Sequence, residues 1–331
     1  MKKHCIRSIK SLTLAMLCIF SIAISFGMGH GDGSLVPLPD KGTRTVPMDA
    51  GTPLATLQCN YFDEKDFMNS VIAARQNQLT VNRDKSTAGQ IDTVNTDKSG
   101  SIAGGIVPHH LLASKMIAEF FQSLAVSVPE IVVVIAPNHE RIGLNDLHTS
   151  TQNWGTAFGV LEANPVLTEK LIDDLRASQN SALMEEEHSI SSLVPYIKYY
   201  LPKAKIVPVL LHGNYSPEAS QRLGELLAEA LSGNPRAVVI ASVDFSHYLD
   251  ADTADKMDEK TLAAIKSNDI QLISRMGNDN LDSPPSIIAL LSAMEKIGAA
   301  APEVIGHGNS SDITGSGADY TTSYYTMLYK R

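Results

Sequence analysis

From residue 101 onward the chain alternates short uninterrupted apolar runs with longer stretches in which apolar residues recur every three or four positions. Runs of the first kind suit strands buried on both faces, and stretches of the second kind suit helices with one apolar side. Strands are predicted at Ile102 to Val107, Ile131 to Ala136, Lys205 to Leu211 and Ala237 to Val243, with the C-terminal "YTTSYYTMLY" as a candidate edge strand. Helical stripes run through Leu112, Met116, Phe120 and Leu124 with Ile117 and Phe121 beside them, through Ile190, Leu193, Val194 and Ile197, and through Leu223, Leu226, Leu227 and Leu231. This alternation predicts one three-layer α/β/α domain with a mostly parallel central sheet, over residues 57–331. Phe67, Val71 and Ile72 predict a further helix over about 63–75, and the polar "VNRDKSTAGQIDTVNTDKSGS" after it predicts a surface loop.

The N-terminus follows a different pattern. Lys2, Lys3, Arg7 and Lys10 precede an uncharged, mostly apolar stretch from Ser11 to Met28. Residues 1–28 are therefore expected to be a signal peptide or a membrane anchor, with small residues around Gly27 and Gly29 favouring cleavage. Residues 29–56, rich in Gly, Pro, Thr and Asp without apolar periodicity, read as a linker. The expected location is extracytoplasmic, secreted or periplasmic, with membrane attachment through residues 11–28 if the leader is retained.

Composition narrows the chemistry. The 331 residues carry a formal net charge of -9, with no cluster of Lys and Arg, so no nucleic-acid footprint is present. Of three cysteines, Cys5 and Cys18 lie in the leader, which leaves Cys59 alone in the domain. A multi-cysteine metal site is excluded, and any metal must be held by His and carboxylates. The chain contains no G-x-S-x-G, no Walker loop, no H-E-x-x-H and no G-x-G-x-x-G after a strand. The glycines of "GSGAD" near Gly315 read as a loop.

Three predicted strands end in comparable residues. "GGIVPHH" ends in His109 and His110, "IVVVIAPNH" in His139, and "VVIASVDFSH" in Asp244 and His247. In open parallel sheets the ligand crevice lies beyond the carboxyl ends of the strands, so these side chains are expected to share a pocket. His188 in "EEEHSISSLVPY" is a fourth candidate, at the start of a helix; Glu185 to Glu187 before it read as a solvated run that compensates the helix dipole. Two imidazoles and a carboxylate with open positions form the facial triad of non-haem iron enzymes, and a further His could move protons.

These residues resemble the Memo family, system protein B of the AmmeMemoRadiSam set, which is similar in fold to class III extradiol (LigB-like) dioxygenases. The matching stretches run in the family's order over roughly residues 57 to 329: "NYFDEKDFMNSVIAA", "GIVPHHLLA", "IAPNHERIG", "EEEHSISSLVPYIKYYLP", "IVPVLL", "IASVDFSHY" and "NSSDITGSGADYTTSYYTMLY". The resemblance implies that His109 and His139 are metal ligands, that His188 and His247 line the same pocket, and that Asp244 fixes a strand end. The family's third ligand is a cysteine before a helix; here "NLDSPPS" stands in that place, with Asp282 at the cysteine position. Asp282 either restores a two-His-one-carboxylate set or serves only as a turn residue before Pro284 and Pro285.

The implied activity is a metal-dependent oxidoreductase holding iron, or else copper, with His247, His188 and Asp244 in catalytic roles. A non-catalytic module for a small ligand or peptide on the same fold, and a metal-dependent hydrolase, are the alternatives. An exported domain would not meet the family's cytoplasmic radical-SAM partner.

Overall fold

Four of the apolar runs form the parallel centre of a large sheet. The computed structural model describes residues 56–87, 101–317 and 320–331, so the expected leader, the linker up to residue 55 and most of the polar loop lie outside the described residues. The strands of the sheet are β1 (Ile102–Val107), β2 (Ile131–Pro137), β3 (Leu147–Thr149), β4 (Ser178–Gln179), β5 (Lys205–Leu211), β6 (Ala237–Ser242), β7 (His247–Leu249), β8 (Glu303–Asn309) and β9 (Thr321–Lys330). They lie in the order β7-β9-β1-β6-β2-β5-β3-β4, with β8 also paired to β9. Contacts among β1, β6, β2 and β5 are parallel. A small second sheet joins Leu57–Gln58, Trp154–Thr156 and Gly159–Leu161.

Side-chain alternation divides the core in two, because successive residues of a strand face opposite sides. Val133, Ile135, Val207, Val209 and Val239 pack with α4 (Pro217–Gly233) and α6 (Pro284–Lys296). Val132, Val134, Ile206, Leu210 and Ile240 pack with α1 (Glu64–Thr87), α2 (Ser114–Leu124) and α3 (Val194–Tyr200). Helix α5 (Ala251–Lys266) lies against β9. The result is a mixed α/β domain with helices on both faces of the sheet.

Four expectations need correction. The sheet is mixed rather than mostly parallel, since β9 on β1, β3 on β5, and β7 and β8 on β9 are all antiparallel, while the edge pair β3 and β4 is again parallel. Strand β9 is not an edge: it bonds β1 on one side and β7 and β8 on the other, which its buried residues from Ser323 to Tyr329 require. Helix α1 runs to Thr87 because nothing from Gln76 to Thr87 is Gly or Pro, so the polar stretch continues the helix. Leu112 falls outside its stripe and is exposed, because residues 111–113 form a 3-10 turn and α2 starts only at Ser114.

The approach of α4 to α6 fixes where the chain before α6 can lie. A Cβ at Gly224 would stand 2.4 Å from the Ala289 carbonyl oxygen and 2.6 Å from the Ser292 Cβ. Gly224→Ala must therefore separate two packed helices, and chemical denaturation should show a loss of about 1–3 kcal/mol. Gly233→Ala, with nothing within 4 Å of its Cβ, should be neutral or slightly stabilising in the same assay.

Candidate metal centre

The strand order brings the site together. Because β6 lies between β1 and β2, the residues that follow these three strands end side by side. His109 follows β1, His139 follows β2, and Asp244 follows β6. Asp244 joins the turns: its Oδ1 accepts the backbone N–H of His109 at 3.0 Å and that of His110 at 3.5 Å.

Asp282 arrives from the chain just before α6. Its N–H donates to the Asp244 carbonyl at 3.1 Å, and Phe245 and Leu281 form a β-bridge next to it. Pro284 and Pro285 start α6 in the first helical turn, where no backbone donor is needed. The Asp282 side chain turns inward rather than capping that turn: Oδ2 lies 3.3 Å from His109 Nε2 and 3.6 Å from His139 Nε2. Oδ1 is buried and has no hydrogen-bond partner.

Hydrogen bonds behind the histidines fix which nitrogen faces inward. The Ser242 hydroxyl donates its only hydrogen to the Ser189 carbonyl at 2.6 Å, so at 3.2 Å from His109 Nδ1 it can only accept. His109 Nδ1 therefore carries the proton, and Nε2 is the nitrogen left for a ligand. His139 Nδ1 donates to Glu187 Oε1 at 2.9 Å, while the His139 backbone N–H donates to Glu187 Oε2 at the same distance. His139 Nε2 is thereby turned toward Asp282.

Glu187 is the principal residue that the sequence reading misassigned. It is 5% exposed rather than solvated, and besides His139 it accepts the N–H of Ser189 at 3.1 Å and lies 3.3 Å from His188 Nδ1. Its position immediately before His188 was the available signal, but an acidic run before a helix looks the same whether solvated or buried. Ser242, at the end of an otherwise apolar strand, carried no signal.

His188 stacks on His139 with ring centroids 4.5 Å apart and stands 5.1 Å from the His109 ring. Donor atoms of His109, His139 and His188 all lie within 4.8 Å of one another, as do those of His109, Asp244 and Asp282. Ligands held by bonds of about 2.1 Å stand roughly 3.0 Å apart at right angles and about 3.4 Å apart at tetrahedral angles. The contacts between Asp282 and the two imidazoles are of that size. His247 belongs to neither group; it begins β7, where its N–H donates to the Asn278 carbonyl at 2.8 Å. His110 points elsewhere, with Nδ1 2.6 Å from the Tyr324 hydroxyl.

The electrostatics favour positive charge at this point. Burial opposes protonation of His139, but Asp282 and Glu187 outweigh it and push the imidazole up to about 10. Burial likewise disfavours the Asp282 carboxylate, yet His109 and His139 hold it well below the usual carboxylate range. His109 is raised because Asp244 and Asp282 overcome its burial. Cys59 takes no part: burial pushes its thiol up to about 12.

A family model described as Memo-like protein matches residues 74–328. The chain belongs to the Memo-like family. A MEMO1 family protein from Pyrobaculum aerophilum is 29% identical over 240 residues, covering 70% of this chain and 85% of its own. One from Methanosarcina mazei is 27% identical over 234 residues, covering 69% and 85% respectively. Among solved structures, an uncharacterized protein from Escherichia coli K12 aligns at 14% identity with a TM-score of 0.44, over 68% of this chain and 99% of its own. That likeness is too distant to bear on the site. Among the described residues, no helix of this Memo-like chain is long and apolar enough to cross a membrane.

The raised pKa of His139 makes the stability of the metal-free protein depend on pH. A histidine with a raised folded-state pKa contributes stability that is full below its unfolded value near 6.5 and fades as pH rises through the folded value. The stability advantage of the wild type over His139→Ala should therefore be largest near pH 6 and shrink as pH climbs through about 10, measured by urea denaturation. An advantage that grows over that range would contradict the assigned interactions.

Proposed function

We propose that the chain is a metalloprotein holding one transition metal, iron foremost and copper second, on His109, His139 and Asp282. The observation that carries this reading is the convergence of two correctly oriented Nε2 atoms on a buried carboxylate whose second oxygen has no other partner. Neutral imidazoles and one carboxylate form the donor set of non-haem iron sites. When bound, such a metal supplies Lewis-acid and redox chemistry at its open positions.

The surrounding residues have definable tasks in this reading, which is that of a dioxygenase-like oxidoreductase. Ser242 and Glu187 keep the Nδ1 protons on the outer side of the two ligands. Asp244 holds the β1 turn and the Asp282 segment in register. His188 is the best-placed proton carrier, because it sits within reach of the donor atoms while its side chain is 38% exposed. His247 acts at the edge of the site. Tyr61 lies 5.7 Å from the His188 ring and also lines an apolar cavity of about 430 Å³ with Phe62, Phe67, Leu111 and Leu112. In this reading the cavity holds a small molecule or a peptide side chain, with Tyr61 between it and His188. In this reading residues 1–28 act as a signal peptide or anchor, so the domain works outside the cytoplasm, apart from a radical-SAM partner.

Elemental analysis of protein prepared anaerobically with iron supplied should give iron near one per chain, lost in His109→Ala and in His139→Ala. Asp282→Asn should bind about 10- to 100-fold more weakly. Absence of iron and copper from the wild type would contradict the proposal, and full affinity in Asp282→Asn would remove the carboxylate from the ligand set.

A further inference from the structure

A second group of donors lies between α5, β8 and β9, apart from the histidines that follow β1 and β2. Asp258 of α5 is fully buried. Its Oδ1 accepts the hydroxyls of Ser246 at 2.9 Å and Ser323 at 2.7 Å, and its Oδ2 lies 2.8 Å from Nε2 of His307 on β8. The His307 ring is stacked on Tyr325 with centroids 4.1 Å apart and planes 17° from parallel, so its orientation is fixed. Asp255 stands three residues before Asp258 on the same helix face. Donor atoms of Asp255, Asp258 and His307 all lie within 4.8 Å of one another.

Two features distinguish this arrangement from a simple Asp258–His307 ion pair. The first is its setting: a cavity of about 380 Å³ is lined by Asp255, Glu259, His307, Asn309, Asp312 and Tyr325, with no Lys or Arg in the lining. One ion pair needs no such crowd of carboxylates, and like charges three or four residues apart on a helix destabilise it unless something neutralises them. The second is that the donors are prepared as ligands. Two serines saturate Asp258 Oδ1 and leave Oδ2 directed at the imidazole, as the outer hydrogen bonds of a metal ligand do. The 2.8 Å between Oδ2 and Nε2 is a hydrogen bond in the metal-free protein, and a cation held by both atoms would take the place of its proton.

We propose that Asp255, Asp258 and His307 form a second divalent-cation site, independent of the His109 and His139 centre. One imidazole with carboxylates suits a cation of intermediate softness such as zinc or manganese. Asp255 is exposed, so the ion is exchangeable, and water from the cavity completes its coordination.

Calorimetric titration of the metal-stripped full chain with zinc alone tests this. In His109→Ala/His139→Ala, where the first centre is disabled, about one zinc per chain should still bind, and Asp255→Asn or His307→Gln added to it should weaken binding about 10-fold or more. If the double variant does not fold, the count is made in the wild type, where two zinc ions per chain should fall to one in Asp255→Asn. No zinc in the double variant, or binding that Asp255→Asn and His307→Gln leave unchanged (an adventitious ion only), overturns the proposal. Failure of the first centre reads differently: the wild type would then bind no more zinc than the double variant.

Discussion

The site depends on a buried carboxylate clamped to the end of a central strand. Asp282 is tied to Asp244 by its own N–H, and the Asp244 N–H lies 3.3 Å from Asp282 Oδ2. Asp244 in turn gathers the backbone of His109 and His110. A carboxylate this buried is stable as an anion only if positive charge faces it, and His109 and His139 are the groups that do. Packing of α6 on α4 and hydrogen bonding at the strand ends thus serve the same end: holding the Asp282 carboxylate beside Asp244 where three strands meet.

The layout also explains the division of labour around the two imidazoles. A ligating histidine needs a defined tautomer, and tautomer is set from the far side of the ring. His109 obtains this from a serine hydroxyl already committed to a carbonyl, and His139 from a carboxylate. The two rings therefore differ in what backs them: a neutral hydroxyl behind His109, and behind His139 the Glu187 carboxylate, which together with Asp282 favours its protonated form. Glu187 also contacts His188, so one buried carboxylate orients two of the three clustered rings.

Much of the sheet was legible in the sequence because β1, β2, β5 and β6 are buried on both faces and so appear as unbroken apolar runs. The placement of β9 was not, because pairing on both sides leaves no local mark that distinguishes it from an edge. The short strands β3, β4 and β7 carry too few residues for any periodicity. Within the site, His109 and His139 stood out as histidines closing apolar runs, and Asp282 was found through the family pattern and not from its own surroundings. Glu187 was misread because its burial comes from contacts made 48 residues away in sequence. Asp258 and His307 are 49 residues apart, and neither lies in a run that suggests chemistry.

The central claim is that Nε2 of His109, Nε2 of His139 and a carboxylate oxygen of Asp282 share one metal. Anomalous diffraction from crystals of the iron-loaded protein tests it most directly. The account predicts a strong peak between β1, β6 and β2, about 2.0–2.2 Å from each of the three atoms. A peak on the Nδ1 side of either ring, or one with the Asp282 side chain turned away, would contradict it.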